Sequence, residues 1–270
     1  MLFYTVRENI VLEGLVKTIC FYNHKGGVGK TTLTAAIAGE LVSEGKKVLM
    51  IDTDSQANLS SIFCESVQYE LADYLFNAKN PEILKKVIQE TKYDNLYIIP
   101  NKKLSAGGRI DKWASSEASA DENRNVVKNL IKLIEGCGID FVLIDMPPSY
   151  SALDKKFLLA SDEVVPILKI DTFSVEGMKD FYLLLEELKD GDEKPYFKKY
   201  IFNCKDLRTA IQRNLLEQIG NINFKKYIVP TDTIFEKSKA TKKLIQAMDK
   251  IKPETQNVLS EIANDFIKGE

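Results

Sequence analysis

A glycine- and lysine-rich loop near the start of the chain has the residue types that phosphate binding requires. It comprises Lys25, Gly26, Gly27, Val28, Gly29, Lys30, Thr31 and Thr32. Glycines let backbone N–H groups face phosphate oxygens, and a helix that begins directly after the loop adds the partial positive charge of its N-terminus. In this arrangement Lys30 reaches the β- and γ-phosphates and the Thr31 hydroxyl ligates Mg²⁺. The loop therefore predicts ATP and Mg²⁺ as cofactors, in preference to a glycine-rich turn without a ligand.

Two acidic segments later in the chain supply candidate catalytic and metal-ligating carboxylates. Asp52 and Asp54 follow the apolar run 47–51, and Asp145 follows the run 141–144. Ligands of open α/β sheets bind at the carboxyl ends of the strands, and a carboxylate there lies near the Mg²⁺ of a bound nucleotide. Each segment alone is a weak signal, since an Asp-x-Asp pair also caps ordinary loops. Their order after the phosphate loop favours the functional interpretation.

The loop departs from the strict G-x-x-x-x-G-K-[ST] pattern, because His24 stands where the first glycine is expected. Its form, K-G-G-x-G-K-T, resembles the deviant Walker A motif of the ParA/MinD family of ATPases. The segments D-x-D-x-Q and D-x-P-P-S resemble the other two motifs of that family. The resemblance implies that Lys25 reaches across a dimer interface to the partner's nucleotide and that Asp54 orients the attacking water. It also implies that Asp52 helps to organise Mg²⁺ through water and that Asp145 is the carboxylate beside the metal.

The resemblance covers nearly all of the chain after Val16, and it implies that Asn203 and the segment 230–232 lie beside the adenine. The expected residues are therefore Asp54 and Lys25 as catalytic residues; Lys25, Gly26, Gly27, Val28, Gly29, Lys30, Thr31, Thr32, Asn203, Pro230 and Asp232 as nucleotide-binding residues; and Thr31, Asp52 and Asp145 as residues on the metal side.

The fold expected from the residue pattern is an α/β fold, because short β-branched and aromatic runs alternate with longer helix-period segments. The predicted strands are 17–22, 47–51, 96–99, 141–144, 163–167, 200–202 and 227–229, and the predicted helices are 31–43, 122–135, 174–189 and 210–219. Gly45, Gly136, Gly191 and Gly220 follow these helices as C-cap signals. Segment 102–120, around Trp113, predicts either a loop or a short helical excursion. We expect a doubly wound, mostly parallel sheet with helices on both faces, of the P-loop NTPase, deviant Walker A type.

Composition and charge fit an ordinary globular domain, with 44 % apolar and 28 % charged residues and a net charge of −2. No Pro/Gly/Ser-rich linker divides the chain, so we expect one ATPase domain over 17–270 after an N-terminal extension, 1–16. The four cysteines lie far apart, which argues against a disulfide framework or a zinc ribbon. The charged residues of the extension argue against a signal peptide, and no apolar run approaches the ~18 residues of a membrane span. A cytoplasmic protein is expected.

Four kinds of protein within the family differ in the residues that each requires. An iron–sulfur reductase needs cysteines after Asp145, but none occurs before Cys204. A MinD-like protein needs a basic amphipathic C-terminal helix, whereas the amphipathic tail here is acidic and predicts a core-packing helix. A tyrosine kinase of the family carries C-terminal tyrosines, but the last tyrosine is Tyr227. The remaining class is the compact ParA/Soj type, which partitions plasmids or chromosomes.

That class implies a homodimer formed on ATP binding, non-specific DNA binding, and a ParB-like centromere-binding protein that stimulates an otherwise slow ATP hydrolysis. The candidate DNA contacts are Arg208, Arg213, Lys237 and Lys239. A solvated charged surface is the alternative, because acids are interleaved with these cations, and Ile234 stands where the family often has a basic residue. We expect a cytoplasmic protein that is nucleoid-associated when ATP-bound and has no stable membrane association. The alternatives are a MinD-like or other cargo-positioning ATPase, and a nucleotide-gated binding module that barely hydrolyses ATP.

Overall fold

The computed structural model describes residues 16–78, 80, 82–103, 108–171, 174–188, 197, 199–205, 213–215, 217 and 224–269. Its strands are β1 (Lys17–Tyr22), β2 (Val48–Asp52), β3 (Gln89–Glu90), β4 (Leu96–Ile99), β5 (Phe141–Asp145), β6 (Glu163–Lys169), β7 (Lys199–Lys205) and β8 (Lys225–Pro230). They form one sheet in the order β3-β4-β2-β5-β1-β6-β7-β8. Every pairing is parallel except that of β3 with β4. The carboxyl ends of the parallel strands therefore share one edge.

Helices cover both faces of this sheet. They are α1 (Lys30–Ser43), α2 (Asn58–Phe63), α3 (Leu71–Phe76), α4 (Glu82–Val87), α5 (Arg109–Ser116), α6 (Val126–Glu135), α7 (Ala152–Leu159), α8 (Ser174–Glu187), α9 (Ile234–Thr241) and α10 (Pro253–Lys268). One apolar core joins the sheet to α1, α2, α9 and α10, and a second core on the other face joins it to α3–α8. The central strands are buried along their whole length, which explains their nearly continuous apolar sequences. The expected doubly wound α/β fold is confirmed.

The predicted strands are all present: β1 and β4 have the predicted ends, and the other five differ at one or both ends. β7 extends from Lys199 to Lys205, well beyond the predicted 200–202. The strand β3 was not predicted, because a strand of two residues is too short to show an alternating apolar pattern. Helix α6 begins at Val126, after a 3₁₀ turn at Asp121–Asn123, so the predicted start at 122 was wrong. The helix predicted over 174–189 corresponds to α8. The predicted helix 210–219 lies only partly within the described residues, where 213–215 and 217 are helical. Gly191 and Gly220, the C-cap signals of the predicted helices 174–189 and 210–219, lie outside the described residues.

Two further local predictions have clear outcomes. Gly45 follows α1 with φ +76°, as a C-cap glycine does, whereas Gly136 has φ −77° and the left-handed position falls to Gly138 at φ +68°. The ambiguous segment 102–120 contains helix α5, with Trp113 buried against the core. Sequence reasoning missed the short helices α2, α3, α4, α7 and α9, because six to eight residues give too few turns for a reliable period.

The C-terminal helix α10 packs against the core, as its acidic composition predicted. Its apolar residues Leu259, Ile262, Ala263 and Phe266 are buried against α1 and β8. Within the described residues, no helix has the length and apolar character that crossing a membrane demands.

Candidate nucleotide-binding site

The glycine-rich loop connects β1 to α1 at the carboxyl edge of the sheet. Gly27 and Gly29 have φ +73° and +100°, which L-residues with a Cβ rarely adopt. Gly29 is the N-cap of α1, and no side chain caps this helix end. A Cβ at Gly29 would also clash with the side chain of Asn203. The first N–H groups of α1 therefore face the loop cavity, where the helix dipole favours an anion.

Asn23 anchors this loop to the neighbouring strand. Its side-chain Nδ2 donates to the backbone oxygen of Ile167 in β6 at 2.7 Å, and its Oδ1 accepts from the Lys25 N–H at 2.8 Å. Asn203, on β7, holds the loop from the other side by donating to the Val28 oxygen at 2.9 Å. Two asparagines, one directly after β1 and one on β7, thus fix the backbone that would surround a phosphate. Sequence reasoning missed Asn23, although its position between strand and loop was the available signal.

Lys30 lies beneath the loop, in the first turn of α1. Its Nζ donates to the backbone oxygens of Asn23 at 2.8 Å and Lys25 at 3.2 Å. Only 7 % of the residue is exposed. Burial lowers the pKa of its ammonium, while the nearby Asp145 and Asp54 raise it. A poorly hydrated ammonium attracts phosphate oxygens more strongly than a solvated one does, since the local dielectric is low.

Asp52 and Asp145 lie side by side, because their strands β2 and β5 pair with these residues in register. Asp52 uses both carboxylate oxygens within the protein. Oδ2 accepts from the Ser60 N–H at 2.8 Å and from its hydroxyl at 2.6 Å, and Oδ1 accepts from the Asp54 N–H at 3.2 Å. Burial nevertheless raises the pKa of Asp52 to about 6. Its observed contacts hold the loop and helix α2, so any role toward a metal would have to run through water.

Asp145 differs from Asp52, because both of its carboxylate oxygens are buried and neither has a hydrogen-bond partner of ordinary geometry among the described residues. Burial, followed by the neighbouring Asp52, raises the pKa of Asp145 well above its usual value; the Thr31 hydroxyl and Lys30 act in the opposite direction. A buried carboxylate without a full complement of partners is costly unless a cation or a proton satisfies it.

The residues present fit a Mg²⁺ ion held mainly by the nucleotide. The described residues contain no group of three or more His, Cys, Asp or Glu side chains arranged to bind a metal. Thr31 and Asp145 are close enough to interact, and they offer the oxygen ligands that Mg²⁺ prefers. This ion commonly binds through one or two protein oxygens, phosphates and water rather than in a full protein cage. Thr31 and Asp145 would hold it here.

Asp54 lies at the mouth of the site, half-buried, on the loop that follows β2. Its Oδ1 accepts from the Gln56 N–H at 2.8 Å, and its backbone oxygen accepts from Asn101 Nδ2 at 3.0 Å. Asn101 is 1 % exposed and donates its own N–H to the Ser60 hydroxyl at 2.8 Å. Asn101 and Ser60 thus clamp the Asp54 loop. Sequence reasoning missed both, although a polar residue directly after β4 at this sheet edge was the available signal.

A cavity of ≈ 490 Å³ lies between the phosphate loop and Asp54. The residues that line it are Gly26, Gly27, Val28, Gly29, Lys30, Thr31, Thr32, Asp54, Gln56, Asn58, Ser61, Ile62, Pro148 and Lys239. The structure thus brings the whole of segment 26–32 together with Asp54. Lys25 does not line the cavity: its exposed ammonium pairs with Asp171, after β6, at 3.0 Å.

The predicted adenine residues have different positions. Asn203 lies against the loop, as described above, and Pro230 ends β8. Asp232 is buried, and both of its oxygens accept hydrogen bonds, from the Ile234 and Lys252 N–H groups and the Thr255 hydroxyl. Burial by itself would raise the pKa of Asp232, but these bonds outweigh it and lower the pKa. Asp232 therefore joins α9 to α10, and its role toward adenine stays a prediction.

The candidate DNA contacts are not seen as one surface. Lys237 and Lys239 lie on α9, where both are exposed, and Lys239 also lines the cavity. Arg213 is an exposed residue of a short described stretch, and Arg208 lies outside the described residues.

Comparisons with known proteins agree with this geometry. A family model described as "AAA domain" matches residues 16–199. The chromosome-partitioning ATPase Soj of Treponema pallidum is 29 % identical over 205 residues, which are 75 % of this chain and 77 % of Soj. The virulence plasmid ParA family protein pGP5-D of Chlamydia trachomatis is 34 % identical over 184 residues, 66 % of this chain and 65 % of that protein.

Among solved structures, a McdA variant from Cyanothece in complex with ATP is similar, with a TM-score of 0.78 and 17 % identity over 95 % of this chain and 98 % of that one. At this identity the likeness concerns the fold alone. The family match spans more than half of the chain and includes the loop, Asp54 and Asp145. This chain is a member of the ParA/MinD family of P-loop ATPases, related to the partition ATPases.

Proposed function

We propose that this protein is a slow, ParA-type ATPase that forms an ATP-dependent sandwich dimer, binds DNA without sequence preference, and partitions a plasmid or chromosome. The observation that carries the ATPase part is the cavity lined by the segment 26–32 and Asp54, together with the buried carboxylate of Asp145 close to Thr31 and Lys30. The partition part is supported by relatives that are named as chromosome-partitioning and plasmid ParA proteins.

In the proposed reaction, Lys30 and the N–H groups at the start of α1 bind the phosphates, because both are positively polarised and face the cavity. A bound Mg²⁺ ion would neutralise the charge that develops on the phosphates. Thr31 and Asp145 hold this ion, and Asp54, at the cavity mouth, orients the attacking water. The clamp of Asn101 and Ser60 on the Asp54 loop supports that last role, since an orienting group must itself be held.

The dimer is proposed from the position of Lys25. Its partly exposed ammonium pairs with Asp171 outside the cavity of its own chain, and in the proposed dimer a phosphate of the second copy's nucleotide replaces this carboxylate. An exposed ion pair of this kind contributes little free energy and is readily exchanged for a phosphate partner. We expect the Lys25→Ala protein to bind ATP as a monomer but not to dimerise, as size-exclusion chromatography with ATP would report. Dimerisation and hydrolysis equal to the parent protein would refute the trans role.

DNA binding is proposed for the exposed cations Arg213 and Lys237, with Arg208 and Lys239 as the other sequence candidates. A ParB-like protein is the proposed activator, and the location is cytoplasmic, with nucleoid association in the ATP state. Stable membrane association is not proposed, because α10 buries its apolar residues in the core.

The test uses the Asp54→Ala protein, which should hold ATP in a dimer with little turnover. If each protomer makes about three phosphate contacts, the logarithm of non-specific duplex affinity should fall with the logarithm of salt with a slope of roughly −5 for the dimer and −3 for a monomer. The salt titration is run with ATP and then with ADP. Equal binding in both nucleotides, or none in ATP at low salt, would refute DNA partition and favour cargo positioning on a protein surface.

A further inference from the structure

We propose that Lys239 is a nucleotide-binding residue whose ammonium contacts the phosphate chain of a nucleoside triphosphate in the 26–32 cavity; this rests on the proposed ATPase function. The sequence had suggested Lys239 as a DNA contact. In the structure Lys239 lines the same cavity as the phosphate loop and Asp54, although about 200 residues separate it from the loop in sequence. Its position is therefore set by the tertiary fold.

The backbone beneath Lys239 is firmly held, which makes its placement at the cavity a property of the fold. Helix α9 buries Ile234, Phe235 and Ser238 against the core. At the end of the helix the Ser238 hydroxyl donates to the Lys243 oxygen, and the Lys243 N–H donates to the Ser238 oxygen at 3.2 Å. Lys239 follows Ser238 directly. The base of its side chain is thus fixed at the cavity wall, while the long aliphatic stem leaves the ammonium free to adjust to a ligand.

The charges of the cavity also favour an anion near Lys239. Among the described lining residues, Lys30 and Lys239 are the cations and Asp54 is the acid. Lys239 pairs with Glu236, three residues earlier on α9, at 3.4 Å, and the two side chains are 46 % and 79 % exposed. A pair so exposed is weak. A triphosphate offers several charged oxygens to the same ammonium, and hydrogen bonds between ionised groups are the strong ones.

The two lysines would act differently. Lys30 is buried under the loop and bonded to backbone oxygens, so it is part of the preformed phosphate cradle. Lys239 comes from a different element, helix α9, and its partly exposed side chain would reach the ligand from the solvent side. We therefore expect loss of Lys239 to weaken ATP binding by about tenfold, the effect of one charge-assisted hydrogen bond, rather than to abolish it.

The experiment measures the dissociation constant of fluorescently labelled ATP for the full chain and three variants. Lys239→Ala should bind about tenfold more weakly, and Lys239→Arg should recover most of the loss, because it restores the charge. Lys243→Ala is the matched control: it removes an equal charge four residues along, outside the lining of the cavity. Its affinity should stay within twofold of the parent. Circular dichroism melting curves confirm that each variant is folded.

Two results would overturn the inference, and they are distinguishable from failure of the proposed function. Parent-like ATP affinity in Lys239→Ala, with a parent that does bind ATP, removes Lys239 from the nucleotide site. Unchanged ATP affinity together with a duplex salt slope flattened by about one unit assigns Lys239 to DNA instead. A parent protein that binds no ATP would refute the proposed ATPase function itself.

Discussion

The two edges of the parallel sheet bury carboxylates in opposite electrostatic settings. At the carboxyl edge, Asp145 has two buried oxygens without hydrogen-bond partners of ordinary geometry among the described residues, and its pKa is raised. At the amino edge, Asp265 of α10 is also buried, but it pairs with Lys199 at 3.5 Å, with Lys225 and with the Tyr227 hydroxyl. Burial would raise the pKa of Asp265 as well, yet these partners lower it.

The amino edge extends this pairing into a network. Lys199 is fully buried, and besides Asp265 it contacts Glu163 at 3.4 Å and the ring of Phe266 at 4.8 Å. Lys17, at the start of β1, pairs with Glu163 at 3.7 Å. The network joins the starts of four neighbouring strands to the last helix. Both buried carboxylates therefore lie within 4 Å of at least one lysine ammonium of the protein itself.

The comparison teaches that burial of an acid does not by itself indicate function. What distinguishes the carboxyl edge is the incomplete set of partners around Asp145, which costs stability and which a metal ion or a proton would complete. At the amino edge, buried acids pair with lysines instead, and these pairs hold β1, β6, β7 and α10 together. Perturbed, underpartnered groups mark candidate functional sites, whereas neutralised networks mark structural ones.

The largest effect is expected at Asp145. Asp145→Asn should reduce Mg²⁺-dependent ATP hydrolysis about a thousandfold, because the metal loses a charged ligand. The same change should raise the stability of the nucleotide-free protein, since a buried carboxylate with a raised pKa opposes folding at neutral pH. Phosphate release and urea denaturation measure the two quantities. Asp140→Asn, at the exposed start of the same strand, is the control; lowered stability in Asp145→Asn would contradict the comparison.

At the amino edge the opposite outcome is expected. Asp265→Asn removes the carboxylate that pairs with both Lys199 and Lys225, so the free energy of unfolding should fall by about 3 kcal/mol, while the affinity for ATP stays unchanged. Urea denaturation and a labelled-ATP titration check this, with the exposed Glu261→Gln on the same helix as control. An undiminished stability would mean that the network is not structural.

The pH dependence of stability should differ between the edges. Asp52 and Asp145 have raised folded-state pKa values, so the metal-free protein should lose stability as pH rises from about 4 through about 6, where Asp52 titrates. Asp265 has a lowered pKa, so its contribution is present above about 4 and is lost only as pH falls below that. Between pH 4.5 and 7, stability should decline less steeply in Asp145→Asn than in the parent. If the curves of stability against pH ran parallel for the variant and the parent, the raised pKa of Asp145 would be contradicted.

The smallest effect is expected for the clamp on the Asp54 loop. Asn101→Ala removes the hydrogen bond to the Asp54 backbone oxygen and should lower the turnover number about tenfold, while ATP affinity stays within twofold. Steady-state hydrolysis and a labelled-ATP titration separate these two effects. Lys103→Ala, an exposed neighbour two residues on, serves as the control. Equal losses in affinity and turnover would show that Asn101 acts only on folding of the site.

Much of the site could be predicted from sequence because its motifs are contiguous. The segment 26–32 has glycines where the backbone takes positive φ, and Asp145 ends a strand that is apolar throughout. Such patterns can be recognised from sequence, because the physical reason for each lies within the segment itself. The 3.6-residue period likewise identified α1 and α8, whereas the shorter helices had too few turns to be recognised.

What the sequence determined by itself is therefore the phosphate loop, the alternation of strands and helices, and the carboxylates that end β2 and β5. Only the tertiary structure decided which of these meet. The strand order places β5 between β1 and β2, which sets Asp52 beside Asp145 in register, and Ser60 donates two hydrogen bonds to Asp52. It also brought Asn101 to Asp54 and Lys239 to the phosphate loop. These contacts join residues far apart in the chain, and no local period encodes them, because packing of the two helical layers on the sheet fixes their distances.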